Sequence, residues 1–352
     1  MINKRTTGDG RPYDAAGDRP VKNLSGINIL KVDKWNPDAG IIQEGGSILR
    51  NGGLVAFPTE TVYGLGANGL SPEAVRKIFL AKERPLDNPL ILHLAEAKDA
   101  SALAEVDARA SKVMAAFWPG PLTLVLRARP GIPAEVTAGL STVALRVPDH
   151  PVALALIEAA GCPVAAPSAN RSGRPSSTDA EAVVADLGTK VDLVLDAGRV
   201  DIGLESTVID LTGPKALLLR PGGTAVERLE AFLGEPLGSS DATSKKRSPG
   251  TRYKHYSPAV PVRVWIADEA GKADNKFQDS IDPAKSGFMG VNPPPAEFAR
   301  VILFESEDSY ARGVFAGFRQ LEAEGLSIVA EWPKSQGIGL ALRDRIRRAS
   351  IS

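Results

Sequence analysis

Residues 54–82 read LVAFPTETVYGLGANGLSPEAVRKIFLAK and predict a short buried strand followed by a helix. The apolar run 54–57 suits a strand, and Pro58 ends it because proline has no N–H to give to a strand ladder. The segment Ser71-Pro72-Glu73 then begins a helix, with serine as N-cap, proline at the first helical position and an acid in the first turn. A strand and a helix this close together indicate an α/β protein.

The rest of the chain repeats this alternation of short strands and helices. A helix at 151–160 is ended by Gly161, and a helix at 179–187 follows a predicted capping box, Thr178 to Glu181, with Thr178 as the N-cap. The apolar runs 206–211 and 216–220 predict a hairpin. We therefore expect an α/β fold in which a sheet is covered by helices. Further strands are predicted at 89–94, 122–127, 143–147 and 162–166, and a further helix at 40–50.

Length and composition divide the chain into two units, since 352 residues are many for one domain. Polar residues 1–26 predict a disordered extension, 27–235 a first unit, 236–260 a polar linker and 261–352 a small α/β unit. The linker carries five cations, and the small unit has few side chains that suggest chemistry. The cations are Lys245, Lys246, Arg247, Arg252 and Lys254, the strands of the small unit are predicted at 262–266, 287–291, 301–304 and 327–332, and its helices at 309–324 and 338–349.

The charge balance excludes several classes of protein. Lys and Arg number 42, as do Asp and Glu, so the formal net charge of zero disfavours a nonspecific binder of nucleic acid or membrane surfaces. One cysteine, Cys162, and three histidines cannot build a zinc finger or an internal disulfide. No apolar stretch is long enough to cross a membrane. We expect a cytoplasmic protein with no membrane contact.

Gly64, Gly66 and Gly69 match the G-x-G-x-x-G pattern of dinucleotide-binding proteins. In those proteins the glycines follow a strand directly and open a helix. Here Pro58-Thr59-Glu60-Thr61 intervenes after the strand, and the helix begins later, at Ser71. The context therefore disfavours a dinucleotide site, and no Walker loop occurs either.

Two cations close together, Lys82 and Arg84, follow the end of the first quoted helix. A lysine point charge and an arginine fork suit a polyphosphate. The alternative is a solvated helix end, where cations complement the dipole, and spacing alone favours that alternative.

Residues 166–178 run from a strand end through a hydroxyl-rich loop to a helix N-terminus, where free N–H groups can hold an anion. They are equally well explained as turn formers with a cap at Thr178. Arg146 and Arg220 both end apolar strands, where ligands of α/β sheets bind, yet an exposed strand-end charge is as good an explanation for either alone. His93 fits a satisfied core histidine, and Glu205 a plain cap.

In this order the segments resemble the YrdC-like threonylcarbamoyl-AMP synthase family, in its two-domain branch. The likeness covers about residues 30–235, with a looser likeness beyond the linker. The segments that carry it are FPTETVYG at 57–64, KERP at 82–85, NPL at 88–90, ALRVP at 144–148, PSAN at 167–170, ESTV at 205–208, LRPG at 219–222 and SPGTRYKHYSP at 248–258.

The resemblance implies an enzyme that makes L-threonylcarbamoyladenylate and pyrophosphate from L-threonine, bicarbonate and ATP with Mg²⁺. The product then passes to the tRNA threonylcarbamoyl-transferase complex, which modifies adenosine 37 of tRNAs reading ANN codons. The implied fold is a YrdC-like twisted mixed sheet around a concave cavity, with a small Rossmann-like C-terminal domain. The linker is expected to close over the cavity as a lid, and a weak contact with tRNA is a further expectation.

The resemblance also assigns site residues, carried over position by position. Lys82 and Arg84 are the expected catalytic cations, and Mg²⁺ is expected to be held mainly by the phosphates rather than by protein ligands. Thr251 and Ser257 depart from the expected linker pattern, and Tyr253 is a second candidate for the lid. The expected ATP-binding residues are Arg84, Asn88, Thr142, Asn170, Thr178, Arg220 and Tyr256. The expected threonine-binding residues are Thr61, His93, Arg146, Ser168 and Ser206.

Two other functions compete with synthesis. The first is an RNA-binding module without catalysis that takes tRNA or double-stranded RNA, since the linker mixes cations with tyrosines. The zero net charge speaks against it. The second is carbamoyl transfer in hydrogenase maturation, where a related domain occurs with Cys-x-x-Cys zinc motifs that a single cysteine excludes.

Overall fold

A computed structural model describes residues 26–241, 244, 247, 255–266 and 281–350. The predicted extension 1–26 lies outside the described residues except for its last residue, and so does Tyr253. The α/β class is confirmed. Seven of the eleven described strands of the larger unit lie close to predicted positions, and the strands at 29–31, 64–68, 193–196 and 238–239 were not predicted. The eleven are β1 (Ile29–Lys31), β2 (Val55–Phe57), β3 (Gly64–Asn68), β4 (Ile91–His93), β5 (Leu122–Arg127), β6 (Thr142–Arg146), β7 (Val164–Ala165), β8 (Leu193–Asp196), β9 (Thr207–Asp210), β10 (Leu217–Arg220) and β11 (Gly238–Ser239).

Among the described residues these strands form one mixed sheet in the order β1-β8-β2-β3-β7-β4-β6-β5-β9-β10-β11. Strands β4 and β6 are parallel, and β5 runs antiparallel to β6. Strand β9 is parallel to β5, and β10 returns antiparallel to β9 as the predicted hairpin. The carboxyl ends of β4, β6 and β10 therefore meet the amino ends of β5 and β9 at one edge of the sheet.

Helices cover the sheet, and two of the predicted helix-boundary signals, the Ser71 cap and the Gly161 end, are present. In α2 the Ser71 hydroxyl accepts from the Ala74 amide at 3.2 Å, and α6 is ended by Gly161 with a φ of 64°. No described helix combines the length and apolarity needed to cross a membrane. The helices of the larger unit are α1 (Ala39–Arg50), α2 (Pro72–Lys82), α3 (Ala100–Leu103), α4 (Ala108–Phe117), α5 (Ala134–Thr137), α6 (Pro151–Ala160), α7 (Ala180–Leu187) and α8 (Val226–Leu233).

The prediction that Thr178 caps α7 is wrong. The N-cap is Asp179, which has extended backbone angles and whose carboxylate accepts from the Ala182 amide at 2.8 Å. Thr178 precedes the cap and stays buried. The chain places two capping residue types next to each other, and the backbone conformation decides between them.

Glycines permit close packing around the central strands. A Cβ on Gly46 would lie 2.7 Å from the backbone of Ala159, so glycine there lets α1 approach α6. In β3 a Cβ on Gly66 would lie 2.8 Å from the ring of Phe57. Gly64 and Gly66 thus belong to an antiparallel strand and not to the turn ahead of a helix, as their sequence context indicates.

The C-terminal unit is a smaller α/β layer. In the described residues its four parallel strands have the order β12-β15-β13-β14, with the last strand between the first two. A classical dinucleotide-binding sheet has the order 3-2-1-4-5-6 with its first strand in the middle, whereas β12 lies at the edge here, so the Rossmann-like detail is not confirmed. The elements are β12 (Val262–Trp265), β13 (Ser286–Gly290), β14 (Arg300–Leu303), α9 (Glu307–Ala323), β15 (Ser327–Glu331) and α10 (Ile338–Ser350).

Bidentate arginine–carboxylate ion pairs join the larger unit to the C-terminal unit. Arg174 of the larger unit contacts both carboxylate oxygens of Glu322 in α9, at 2.5 and 2.6 Å. Arg319 of α9 contacts both carboxylate oxygens of Asp186 in α7, at 3.0 and 2.8 Å. Forked arginine–carboxylate contacts fix orientation as well as proximity, so α9 is held in one position against the larger unit.

Candidate active site

The polar residues expected to act together lie at the sheet edge where the strand ends meet. His93 and Arg146 end β4 and β6 and are direct partners in the parallel register. Ser206 immediately precedes β9, and Arg220 ends β10. Neighbouring strand ends bring these four residues together although they are far apart in sequence.

A cavity of about 60 Å³ opens at this edge. Eight of the thirteen predicted site residues line it, and its wall also contains the polar residues Thr59, Glu205 and His255, which were not predicted as site residues. The eight are Thr61, Arg84, His93, Arg146, Ser168, Ser206, Arg220 and Tyr256.

Arg146 is almost completely buried and has three partners. Its Nη1 donates to the Thr61 hydroxyl at 3.0 Å and its Nε to the Gly120 carbonyl at 3.2 Å. Its Nη2 lies 2.6 Å from the Glu60 carboxylate, a close ion pair whose N–H is not aligned for a hydrogen bond. Arg146 is thus held rigidly, with its positive charge compensated by Glu60 from behind the cavity.

Lys82 lies behind the cavity wall rather than in it. Its ammonium group donates to the carbonyls of Ser168, at 2.5 Å, and of Asn170. Burial and the neighbouring Arg84 lower the pKa of Lys82 well below its ordinary value. The helix-end alternative is therefore excluded for Lys82, since the side chain is 1% exposed and ties α2 to the loop after β7.

Arg84 reaches the cavity directly. The residue before it, Glu83, adopts a left-handed φ of 54° that ends α2 and turns the chain inward. The Nη2 atom of Arg84 donates to the Pro89 carbonyl at 3.1 Å and, at 3.4 Å, to the carbonyl of Asn88. Both cations of the Lys82-Glu83-Arg84 segment therefore lie at the cavity, Arg84 in its wall and Lys82 behind it.

The loop after β7 is held by its own polar side chains. The Ser168 hydroxyl donates to the Asn170 side-chain oxygen at 2.5 Å. The Asn170 amide group donates to the carbonyls of Arg171 and Arg174 at 2.8 and 2.9 Å. Since Lys82 binds two carbonyls of the same loop, the hydroxyl of Ser168 is presented to the cavity from a fixed backbone.

Ser206 and Arg220 form a second polar group across the cavity. The Arg220 Nη2 atom donates to the Ser206 carbonyl at 3.0 Å, and the Ser206 hydroxyl lies 2.8 Å from the Thr123 hydroxyl. Glu205 stands beside them, and its carboxylate accepts from the Ser176 hydroxyl at 2.5 Å. Burial alone would raise the pKa of Glu205, but the guanidinium groups of Arg345 and Arg220 outweigh it and hold that pKa below its usual value.

Both histidines that line the cavity are neutral in the folded protein. Burial, with a smaller contribution from Arg146, lowers the pKa of His93 to about 3. Burial, with contributions from Arg84 and Lys82, lowers the pKa of His255 to about 3. The positive charge of the cavity wall therefore comes from its arginines.

Five predicted site residues do not line the cavity, although all five are buried. Lys82 and Asn170 act through the loop after β7, and Asn88 presents its carbonyl to Arg84. Thr142 begins β6 opposite Arg127, and Thr178 precedes the cap of α7. Their assignment to ATP or catalysis remains a prediction.

Sequence reasoning missed the carboxylates. Glu60 lies inside the motif FPTETVYG, and Glu205 at the predicted start of a strand fits a plain cap. Neither has a local signal of burial, since each is paired with an arginine far along the chain, Arg146 and Arg345. Two buried arginine partners explain why both carboxylates are tolerated in the interior.

The comparisons with known proteins give the same picture for both units. The family described as "Telomere recombination" matches residues 47–222, and the family "Threonylcarbamoyl-AMP synthase, C-terminal domain" matches residues 224–350. The threonylcarbamoyl-AMP synthase of Pyrococcus abyssi is 40% identical over 336 residues, which cover 92% of this chain and 97% of that protein. The chain belongs to the threonylcarbamoyl-AMP synthase family. The resemblance drawn from the motifs is therefore confirmed.

Other members of the threonylcarbamoyl-AMP synthase family agree. The Bacillus subtilis enzyme is 39% identical over 88% of this chain and 92% of its own length. A structure described as Pyrococcus abyssi Sua5 complexed with L-threonine superimposes with a TM-score of 0.83 at 41% identity, over 92% of this chain and 97% of that one. The YrdC-like mixed α/β fold is thus confirmed, over 92% of this chain.

Proposed function

We propose that this chain is a threonylcarbamoyl-AMP synthase that makes L-threonylcarbamoyladenylate and pyrophosphate from L-threonine, bicarbonate and ATP. One observation carries the proposal: Arg84, Arg146 and Arg220, each from a different strand or loop, line one cavity together with serine and threonine hydroxyls. Cations and hydroxyls converging on a small buried space suit a triphosphate and an amino acid. The full-length similarity to synthases supports the same assignment.

The proposed reaction has two steps that balance. The threonine amine attacks the carbon of bicarbonate to give a carbamate and water. A carbamate oxygen then attacks the α-phosphorus of ATP, the α–β P–O bond breaks and pyrophosphate leaves. The site must supply positive charge where the phosphate charge develops and must shelter an unstable carbamate from water.

Arg84 and Arg220 are assigned to the phosphates and Arg146 to the threonine carboxylate. Arg146 suits that task because Thr61 and Gly120 fix its orientation. Lys82 fixes the loop that carries Ser168, and its low pKa in the free protein rises as the triphosphate brings negative charge close. Asn88, Thr142, Asn170 and Thr178 are proposed to complete the nucleotide site.

His255 and Tyr256 of the linker close the cavity to about 60 Å³, far below the about 300–1,000 Å³ of most ligand pockets. We therefore infer that His255 and Tyr256 withdraw to admit ATP and return to exclude water during the reaction. This agrees with the lid function expected from the sequence.

Mg²⁺ enters as part of the substrate, bound to the triphosphate. Among the described residues no group of three or more His, Cys, Asp or Glu side chains could hold a metal ion. Magnesium would neutralise the phosphates while the arginines orient them.

The chemistry of the product also indicates which reaction must follow. A mixed carbamic–phosphoric anhydride hydrolyses readily, so it must pass quickly to the complex that transfers it to adenosine 37 of tRNA. We place the protein in the cytoplasm on that basis, with at most a weak contact with tRNA. The RNA-binding alternative is not favoured, because the relatives are named for synthesis and the net charge is zero.

The decisive experiment supplies purified protein with ATP, L-threonine, bicarbonate and Mg²⁺ and measures pyrophosphate together with the adenylate by mass spectrometry. Pyrophosphate and adenylate are expected only when threonine and bicarbonate are both present. Pyrophosphate release that ignores threonine would refute the proposal. Tight tRNA binding with a steep salt dependence and no adenylate would favour the RNA-binding module instead.

A further inference from the structure

The C-terminal unit contributes a completely buried arginine to the wall behind the cavity. Arg345 of α10 donates through Nε to Oε2 of Glu205 at 2.7 Å and through Nη1 to Asp344 at 2.8 Å. Its side chain is 0% exposed. Because Glu205 lines the cavity, one guanidinium group connects the C-terminal unit directly to the candidate active site.

Tyr256 lies between this arginine and a second residue of the C-terminal unit. The guanidinium carbon of Arg345 is 5.1 Å from the centre of the Tyr256 ring, and the ring of Phe315 in α9 stacks at 5.3 Å with an angle of 24°. The φ of Tyr256 is 66°, in the left-handed region that bulky residues rarely adopt. Such a conformation persists only where its surroundings hold it, and here α9 and α10 are those surroundings.

We propose that Arg345 is a positioning residue that holds Tyr256 in the cavity wall, so that the C-terminal unit forms part of the nucleotide site. An arginine suits this position because its planar fork binds two carboxylates while its π face rests on an aromatic ring. The inference rests on the proposed function and on the expected contact of Tyr256 with ATP. It assigns a task to a unit in which the sequence shows little chemistry.

The competing explanation is that Arg345 only joins the two units. Arg319 provides a matched control, since it also joins the C-terminal unit to the larger one through a buried carboxylate, Asp186. Its contacts are with Asp186 and the carbonyl of Pro175 and not with Tyr256. If joining the units were the whole task, replacing either arginine by methionine would have similar consequences.

The first test compares Arg345→Met with Arg319→Met in steady-state synthesis. For Arg345→Met we expect the KM for ATP to rise about ten-fold and the KM for threonine to change less than about two-fold. For Arg319→Met both constants should stay within about two-fold of the wild type. Equal shifts in the two variants would overturn the proposal. Arg345→Lys, which keeps the charge and loses the fork, should give a smaller rise and replaces the methionine variant if that one does not fold.

The second test asks whether Arg345 acts through the tyrosine. In a Tyr256→Leu background the ring is already lost, so adding Arg345→Met should change the KM for ATP by less than about two-fold. If the two substitutions instead multiply their separate effects on the KM for ATP, Arg345 acts independently of Tyr256 and the proposal is contradicted.

The third test does not depend on catalysis. Amide hydrogen exchange of a peptide covering 255–260 should be faster in Arg345→Met than in Arg319→Met, with no ligand present. Unchanged exchange in Arg345→Met would refute the positioning of Tyr256 even in an active enzyme. If the wild type makes no adenylate, the proposed function fails while this comparison still decides the structural claim.

Discussion

The guanidinium of Arg146 lies 2.6 Å from the carboxylate of Glu60, and both side chains are almost fully buried. The pair stands behind the candidate threonine site, and the positive charge of Arg146 that faces the cavity is compensated from the opposite side. Breaking such a pair costs more than replacing both members, because one charge is then buried alone.

Arg146→Met should therefore destabilise the protein by about 3–5 kcal/mol, since the Glu60 carboxylate loses its partner. The double variant Arg146→Met/Glu60→Leu should recover much of that free energy of unfolding but none of the threonine-dependent synthesis. Chemical denaturation and pyrophosphate release measure the two effects separately. Synthesis that returns together with stability would contradict the assignment of Arg146 to threonine.

Lys82→Met should lower synthesis by about two orders of magnitude while the protein remains folded. Methionine fills the same space, yet the carbonyls of Ser168 and Asn170 lose their donor and the site loses a cation. Lys77→Met is the matched control, because Lys77 lies on the same helix and donates to the Gly52 carbonyl at 2.6 Å, but is exposed. The rate of synthesis should fall in Lys82→Met and stay close to the wild-type rate in Lys77→Met. Comparable losses of synthesis in both variants would mean that Lys82 only stabilises the helix.

Features that depend on neighbouring residues were predictable from the sequence. The Ser71 cap and the Gly161 end of α6 formed as predicted because each signal acts within one helical turn. The motifs also gave the correct family. These features need no knowledge of which strands pair.

Features that depend on distant pairing were not predictable. Nothing near Arg345 in the sequence indicates that it meets Glu205, and nothing near Glu60 indicates Arg146. The register that sets His93 beside Arg146 arises only when β4 and β6 pair in parallel. The Thr178 cap failed for a smaller reason, since either of two neighbouring residues could cap and the backbone angles chose Asp179.

Acid should destabilise the protein through His93. Its pKa is about 3 in the folded state, against an unfolded value near 6.5, so the unfolded chain binds the extra proton first. This stabilising contribution is complete above about pH 6.5 and is lost as the pH falls toward 3. By pH 5 about 2 kcal/mol of it has been lost. Denaturation of the wild type and of His93→Asn at about pH 7 and about pH 5 measures it, and the variant should lose less stability between them. Parallel losses in the two proteins would show that His93 is not the group that titrates.

Thr178 and Asp179 should separate stability from function although they are neighbours. Asp179→Ala removes the carboxylate that accepts from the Ala182 amide and should cost about 1 kcal/mol of unfolding free energy, with little change in the KM for ATP. Thr178 is buried and makes no capping contact with α7, and Thr178→Val keeps the shape of its side chain. We therefore expect this variant to lose less unfolding free energy than Asp179→Ala does. The KM for ATP should rise in Thr178→Val. Denaturation curves and ATP titrations of the two variants test both statements. If Thr178→Val leaves the KM unchanged, Thr178 does not belong to the nucleotide site, and the anion-binding interpretation of the loop then rests on Ser168 and Asn170 alone.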